Sequence, residues 1–376
     1  MRPSKSKTAL NIEEFDDAEC YVSARSASEK THIPGIEKYA QNECFVAKDS
    51  ELSYQSDCLS IFLGGRMAKI VLVHGIAQEQ KGSELVATEA MPAIVSGIQN
   101  AAKGLPSHDR PRLEALAERI RKRDPEVDVA IAFYGDEFLK SRTTDDDEKR
   151  FMDDLAIAMM ERARDDSSRE LARTAAAREL QEITATGEAQ GVGRVLGMAI
   201  EHLGQIRGIA DYVMGGVTWL KPTLAQVSQY MRDHKTREHV RDEVRRLIAP
   251  DTRVLIGHSL GSVVAYDIAR ELSNPLPLLL TLGSPLGLRE IIYKRIDPQP
   301  PTFPVKVQRW VNVADREDFI ASTLDLRPLF SKEKPENAIF KNFESVNNGD
   351  YSHGLPRYLA KEIVGSAIAQ AMMPYV

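Results

Sequence analysis

Residues 252–261 read T-R-V-L-I-G-H-S-L-G. Val254, Leu255 and Ile256 form a short apolar run, the pattern of a strand buried on both faces. Gly257-His258-Ser259-Leu260-Gly261 follows. Beyond it Val264, Ile268 and Leu272 recur at i, i+4 and i+8, one stripe of a helix. G-x-S-x-G between a strand and a helix is the context of a nucleophile elbow, a tight turn that lifts one serine out of the backbone. Glycine is expected at 257 and 261 because such a turn leaves no room for a Cβ two positions either side of the serine. The new helix also turns its free N–H groups and positive dipole end towards Ser259.

A serine is a poor nucleophile until a base lies within hydrogen-bond reach and an acid orients that base. After an elbow of this kind the acid and then the histidine follow in chain order. The sole histidine downstream of Ser259 is His353, in the turn-rich stretch N-N-G-D-Y-S-H-G-L-P at 347–356. Such a loop, after the last strand, can bring a histidine over the sheet edge. For the acid, the strand R-W-V-N-V-A at 309–314 runs into Asp315-Arg316-Glu317-Asp318. Asp318 precedes the apolar Phe319-Ile320-Ala321, which would bury it as a triad acid is buried. Asp315, directly at the strand end, is the alternative, or braces the loop; Glu317 ranks third. An oxyanion hole needs two backbone N–H donors. Leu260 supplies one. The loop His74-Gly75-Ile76-Ala77 supplies the other, through Ile76 or else Ala77. His74 and His258 flank the site as packing residues or substrate contacts. Asp136 and Glu137 line the substrate mouth or form a solvated turn.

The chain has 376 residues and is 43% hydrophobic, enough for a sizeable core. Its net charge of −6, with both signs dispersed, argues against a nucleic-acid surface. No uncharged apolar run approaches the ~18 residues of a membrane span, and no signal-peptide core opens the chain. A cytoplasmic location is the expectation. Cys20, Cys44 and Cys58 fit no zinc spacing and read as free thiols. With only eight histidines in the chain, no metal site is expected.

Residues 1–66 are polar, Ser-rich and acidic and read as a weakly structured extension. A second reading makes them a start-site artefact, because Met67 immediately precedes A-K-I-V-L-V-H-G. From residue 67 to 376 strands and helices alternate, so the fold class is α/β with a mostly parallel central sheet flanked by helices. Strands are expected at Lys69–Val73, Val127–Tyr134, Pro277–Leu282, Val305–Val313 and Ala338–Val346. Helices are expected near 83–103, 111–123, 235–248 and 358–372. A helical insertion spans roughly 140–231, with a helix over 160–183. Within it Gly191–Leu220 is apolar, with Ile200, Leu203, Ile206 and Ile209 on one stripe. That segment packs on the main domain, caps the site, or touches lipid.

Together the segments V-L-V-H-G-I (71–76), I-G-H-S-L-G-S-V-V-A-Y-D (256–267), L-T-L-G-S-P-L-G (280–287), W-V-N-V-A-D-R-E-D-F-I-A (310–321) and S-H-G-L-P-R-Y (352–358) resemble the α/β-hydrolase superfamily, and within it the lipase/esterase-like serine hydrolases. The resemblance covers about 67–376. It implies the α/β-hydrolase fold with a helical cap insertion. It also implies an acyl-enzyme on Ser259, with His353 as base, a small-molecule or lipid-like acyl substrate, and no metal or organic cofactor. Phe319 stands where the family's D-P-V-A acid loop has proline, so Asp315 and Asp318 both stay open. The rival class is a silent or partner-gated binding module that recruits a protein through its insertion.

Overall fold

Three strands at the middle of the central sheet, residues 70–73, 254–258 and 278–282, are buried at every position and nearly all apolar, because both faces are covered there. The computed structural model describes residues 11–14, 20–23, 68–76, 78, 81–139, 145–186, 220–321 and 323–373. The Ile200, Leu203, Ile206 and Ile209 stripe, with the rest of the Gly191–Leu220 segment up to residue 219, lies outside them, as do Ala77, Met67, Cys44 and Cys58. The chain divides into two units, Met1–Gly64 and Gly65–Val376. In the first, β1 (Asn11–Glu14) and β2 (Cys20–Ser23) pair antiparallel.

In the second unit β3 (Ile70–Val73), β4 (Val129–Ala132), β5 (Val254–His258), β6 (Leu278–Leu282), β7 (Arg309–Asp315) and β8 (Ile339–Val346) form one all-parallel sheet. Their order is β4-β3-β5-β6-β7-β8. The chain runs outward from β3 to β4, then returns to place β5 on the other side of β3. The strand order therefore reverses between β3 and β5. At such a switch point the carboxyl ends of the strands leave a crevice.

Alternate residues feed opposite faces. Ile70 and Leu72 pack with α1 (Gly82–Lys103), α2 (Arg110–Arg121) and α10 (Glu362–Met372) through Ile94, Leu116 and Ile368. Val71 and Val73 pack with α3 (Asp146–Asp166), α5 (Leu220–Arg232), α6 (His234–Arg245) and α7 (Leu260–Glu271) through Leu155, Tyr230, Val240 and Val264. The described helices of the 140–231 stretch thus share the core of the second face. The acidic run opens α3: Asp145 caps it by accepting from the Glu148 N–H at 2.6 Å. Among the described residues no helix is long and apolar enough to cross a membrane.

Four elements differ from expectation. The strand expected at Val127–Tyr134 covers only Val129–Ala132, because Pro125–Val127 turns as a short 3-10 helix capped by Asp124. The helix expected over 160–183 is two: α3 ends at Asp166 and α4 (Glu170–Thr186) begins after Ser167-Ser168. The Ser167 hydroxyl accepts from the Arg169 N–H at 3.1 Å, the local bonding by which serine competes with a helix. The strand expected from Val305 begins only at Arg309, because Val307 N–H closes a turn onto the Pro304 carbonyl at 2.8 Å. The final helix is also two, α9 (Leu355–Leu359) and α10. Between them the Asn100 amide takes the Ala360 carbonyl at 2.9 Å. The remaining short helix, α8 (Arg327–Phe330), leads into β8.

Candidate active site

Ser259, the one residue between β5 and α7, has φ 53° and ψ −131°. This is a left-handed conformation that a non-glycine residue adopts only when its surroundings impose it. Gly257 and Gly261 leave room for the turn that holds it. A Cβ on Gly257 would lie 2.5 Å from both the Gly261 carbonyl oxygen and the Ser262 Cα, and one on Gly261 would strike the His74 and Val73 carbonyls. The Ser259 N–H donates to the Leu282 carbonyl at 3.0 Å, tying the turn to β6. The Ser262 hydroxyl donates to the Ser259 carbonyl at 2.6 Å and meets Ser284 Oγ at 2.7 Å. Ser259 Oγ itself is buried and has no hydrogen-bond partner among the described residues.

The loop after β3 reaches the same place. A Cβ on Gly75 would lie 2.8 Å from the Ser259 Cβ and 3.0 Å from His258 Nδ1. Ile76 is buried beyond it, and Leu260 is the first residue of α7, whose leading N–H groups have no partner within the helix.

The acid loop leaves β7 at an irregularity in its pairing with β8, between Val313 and Asp315. A bulge of this kind re-aims the chain at a sheet end. His353 Nδ1 donates to Asp318, 2.7 Å from Oδ2 and 2.8 Å from Oδ1. A carboxylate can only accept, so Nδ1 carries a proton and Nε2 is the nitrogen left to act as a base. Asp315 does something different. Its carboxylate accepts from the Glu317 N–H at 2.8 Å and from the Asn348 N–H, joining the acid loop to the loop that carries His353. His353 is thus brought to Asp318, while Asp315 braces the two loops. Glu317 turns away, onto Ser167 and Ser168.

The other two histidines of the region are engaged with protein. His258 Nε2 donates to the His353 carbonyl at 2.7 Å, and the two rings lie 4.7 Å apart. His353 therefore rests on the residue next to Ser259. His74 Nδ1 donates to the Gly75 carbonyl, and its Nε2 accepts from the Tyr134 N–H at 3.2 Å. The His74 ring stacks on Tyr134 at 4.1 Å. Asp136 is exposed, and Glu137 pairs with His239 at 3.6 Å.

Burial governs the electrostatics. It pulls His258 down to about 3 and His74 down to about 4, so both are neutral near pH 7. Burial alone would push the Asp318 carboxyl up. The adjacent His353 and the hydrogen bonds from His353 and Tyr358 outweigh it, and the carboxyl is held below its ordinary value. Of these three rings, only His353 faces a carboxylate at hydrogen-bond distance, an arrangement suited to stabilising an imidazolium. Among the described residues no group of three or more His, Cys, Asp or Glu side chains is placed to hold a metal ion.

Two contributors were missed from sequence. Tyr358 donates to Asp318 Oδ2 at 2.7 Å, and Ser262 locks the elbow carbonyl. Both stand inside recognised segments, but neither carries a signal of its own in periodicity or spacing. No family model, curated protein or solved structure matches this chain.

Proposed function

We propose that the chain is an α/β-hydrolase-type serine hydrolase that cleaves carboxylic esters through an acyl-enzyme on Ser259. The observation that carries this reading is Ser259 held at positive φ on a strand-to-helix turn, with a histidine packed on the adjacent His258 and its Nδ1–H fixed on buried Asp318. In the proposed reaction His353 Nε2 removes the hydroxyl proton as Ser259 Oγ attacks the ester carbonyl. The N–H groups of Leu260 and Ile76 receive the negative oxygen. Collapse of the tetrahedral intermediate expels the alcohol, which takes the proton from His353. Water, deprotonated by His353, then attacks the acyl-enzyme and releases the acid and free Ser259. Asp318 holds the ring in its productive tautomer throughout.

In this reading residues 67–376 are the hydrolase domain, 1–66 an extension to it, and the helical insertion of 140–231 carries its cap. A cytoplasmic setting and an acyl substrate of small-molecule or lipid type belong to the same proposal. A gated form of it draws on a further observation. Ser259 is 1% and His353 3% exposed, so a substrate enters only after something moves. A protein partner acting through the insertion would supply that movement.

Hydrolysis of p-nitrophenyl esters tests the proposal. Wild type is expected to turn over short-chain or long-chain esters with an initial burst of p-nitrophenol. Ser259→Ala and His353→Ala are expected to fall by about 10³-fold or more. Equal rates in all three proteins would reject it.

A further inference from the structure

Arg162, on α3, is 4% exposed, an unusual place for a guanidinium unless its donors are used. Its Nε donates to the Ala321 carbonyl and its Nη2 to the Arg316 carbonyl, each at 3.2 Å. These two carbonyls bracket Asp318, two residues before it and three after. On its outer side Nη1 pairs with Asp166 at 2.7 Å. Asp318 and Glu317 lead the charges that favour the ionised guanidinium, against burial that opposes it.

Glu317 makes the reverse connection. From the acid loop it reaches the α3–α4 junction. It accepts the Ser167 hydroxyl at 2.7 Å, the Ser168 N–H at 2.7 Å and the Ser168 hydroxyl at 2.5 Å. Two reciprocal grips therefore join the helical hairpin to one six-residue stretch, 316–321. The Asp318 carboxylate adds its own bonds to that stretch, taking the Ile320 N–H at 3.1 Å and the Ala321 N–H at 3.3 Å. The loop thus has its backbone fixed from inside by Asp318 and from outside by the hairpin.

We infer that the α3–α4 hairpin sets the position of Asp318 against His353, with Arg162 and Glu317 as the positioning residues. This inference rests on the hydrolase reading for its consequence in catalysis, but not for its geometry. Any partner or ligand that displaced the hairpin would act on the histidine through the acid loop.

The test combines two readouts on the full chain. The first is the low-field proton resonance of the His353 Nδ1–H, identified by its absence in His353→Asn. It is expected in wild type, and broadened or shifted in Arg162→Ala and Glu317→Gln. Arg162→Lys, which cannot span both carbonyls, is expected to lie between. An unchanged resonance in every folded variant overturns the inference. Should Arg162→Ala fail to fold, Arg162→Lys and Glu317→Gln decide it alone. The second readout is ester turnover. Arg162→Ala is expected to lose roughly 10- to 100-fold in kcat with KM within about twofold. Added to Asp318→Asn it is expected to cost nothing further, because both act through one contact. Losses that multiply would show that Arg162 acts elsewhere and overturn the inference. A wild type with the resonance but no turnover would reject the hydrolase reading and leave the positioning intact.

Discussion

The Tyr358 hydroxyl donates to Asp318 Oδ2 at 2.7 Å and accepts the Asp315 N–H at 2.9 Å. One buried phenol, from α9, therefore fixes both ends of the turn that separates the bracing aspartate from the one that meets His353. Burial and the neighbouring Asp318 charge hold its proton on far above the ordinary tyrosine range. It is a permanent donor to the carboxylate.

Tyr358→Phe removes that donor and leaves a buried Asp315 N–H without its acceptor. A loss of about 2 kcal/mol in folding stability is expected, read as a lower urea midpoint. Ester turnover is expected to fall on the order of tenfold, since Asp318 keeps only its histidine and backbone partners. A variant with wild-type midpoint and turnover would contradict the bridging role.

Ser259 at φ 53° carries strain that glycine would not. Ser259→Gly is expected to be more stable than Ser259→Ala by about 1 kcal/mol, although glycine gains more entropy on unfolding. Equal thermal midpoints for the two variants would mean that the turn is unstrained. Gly261→Ala is the converse case. Its Cβ meets backbone carbonyls that cannot move aside, so a loss of about 3 kcal/mol or more is expected.

Stability should respond to pH through groups of opposite sign. His258 and His74 stay neutral in the fold down to about 3 and 4, while their ordinary value is 6.5. Below 6.5 the unfolded chain binds more protons, so stability is lost as pH falls towards 4. Asp153, buried on α3 and beside Asp154, is pushed up to about 7 from 3.8. Here the folded chain binds more protons, so stability falls as pH rises through that window. Measured against wild type, Asp153→Asn is expected to gain stability between pH 5 and pH 8. His258→Asn is expected to lose relative stability over the same interval. Differences that do not change with pH would refute both assignments.

The middle of the parallel sheet was legible because β3, β5 and β6 are nearly continuous apolar runs, joined in the register Leu72–Ile256 and Ile256–Leu280. The elbow was legible because Gly257 and Gly261 have a steric necessity that shows as a fixed spacing. Asp318 was not separable from Asp315 by spacing. What separates them is geometry after the β7 irregularity, which sends one carboxylate to the Asn348 N–H and the other to His353. The break at Ser167-Ser168 was hidden for a similar reason. The local composition favours helix, and Glu317, the carboxylate that holds the two serines in place at the break, lies 150 positions from Ser167.

The most direct measurement is fluorophosphonate labelling of the full chain, with the modified residue located by peptide mass spectrometry. The account predicts one adduct, on Ser259, absent from Ser259→Ala and strongly slowed in His353→Ala. An adduct on another residue, or labelling that persists in Ser259→Ala, would contradict it.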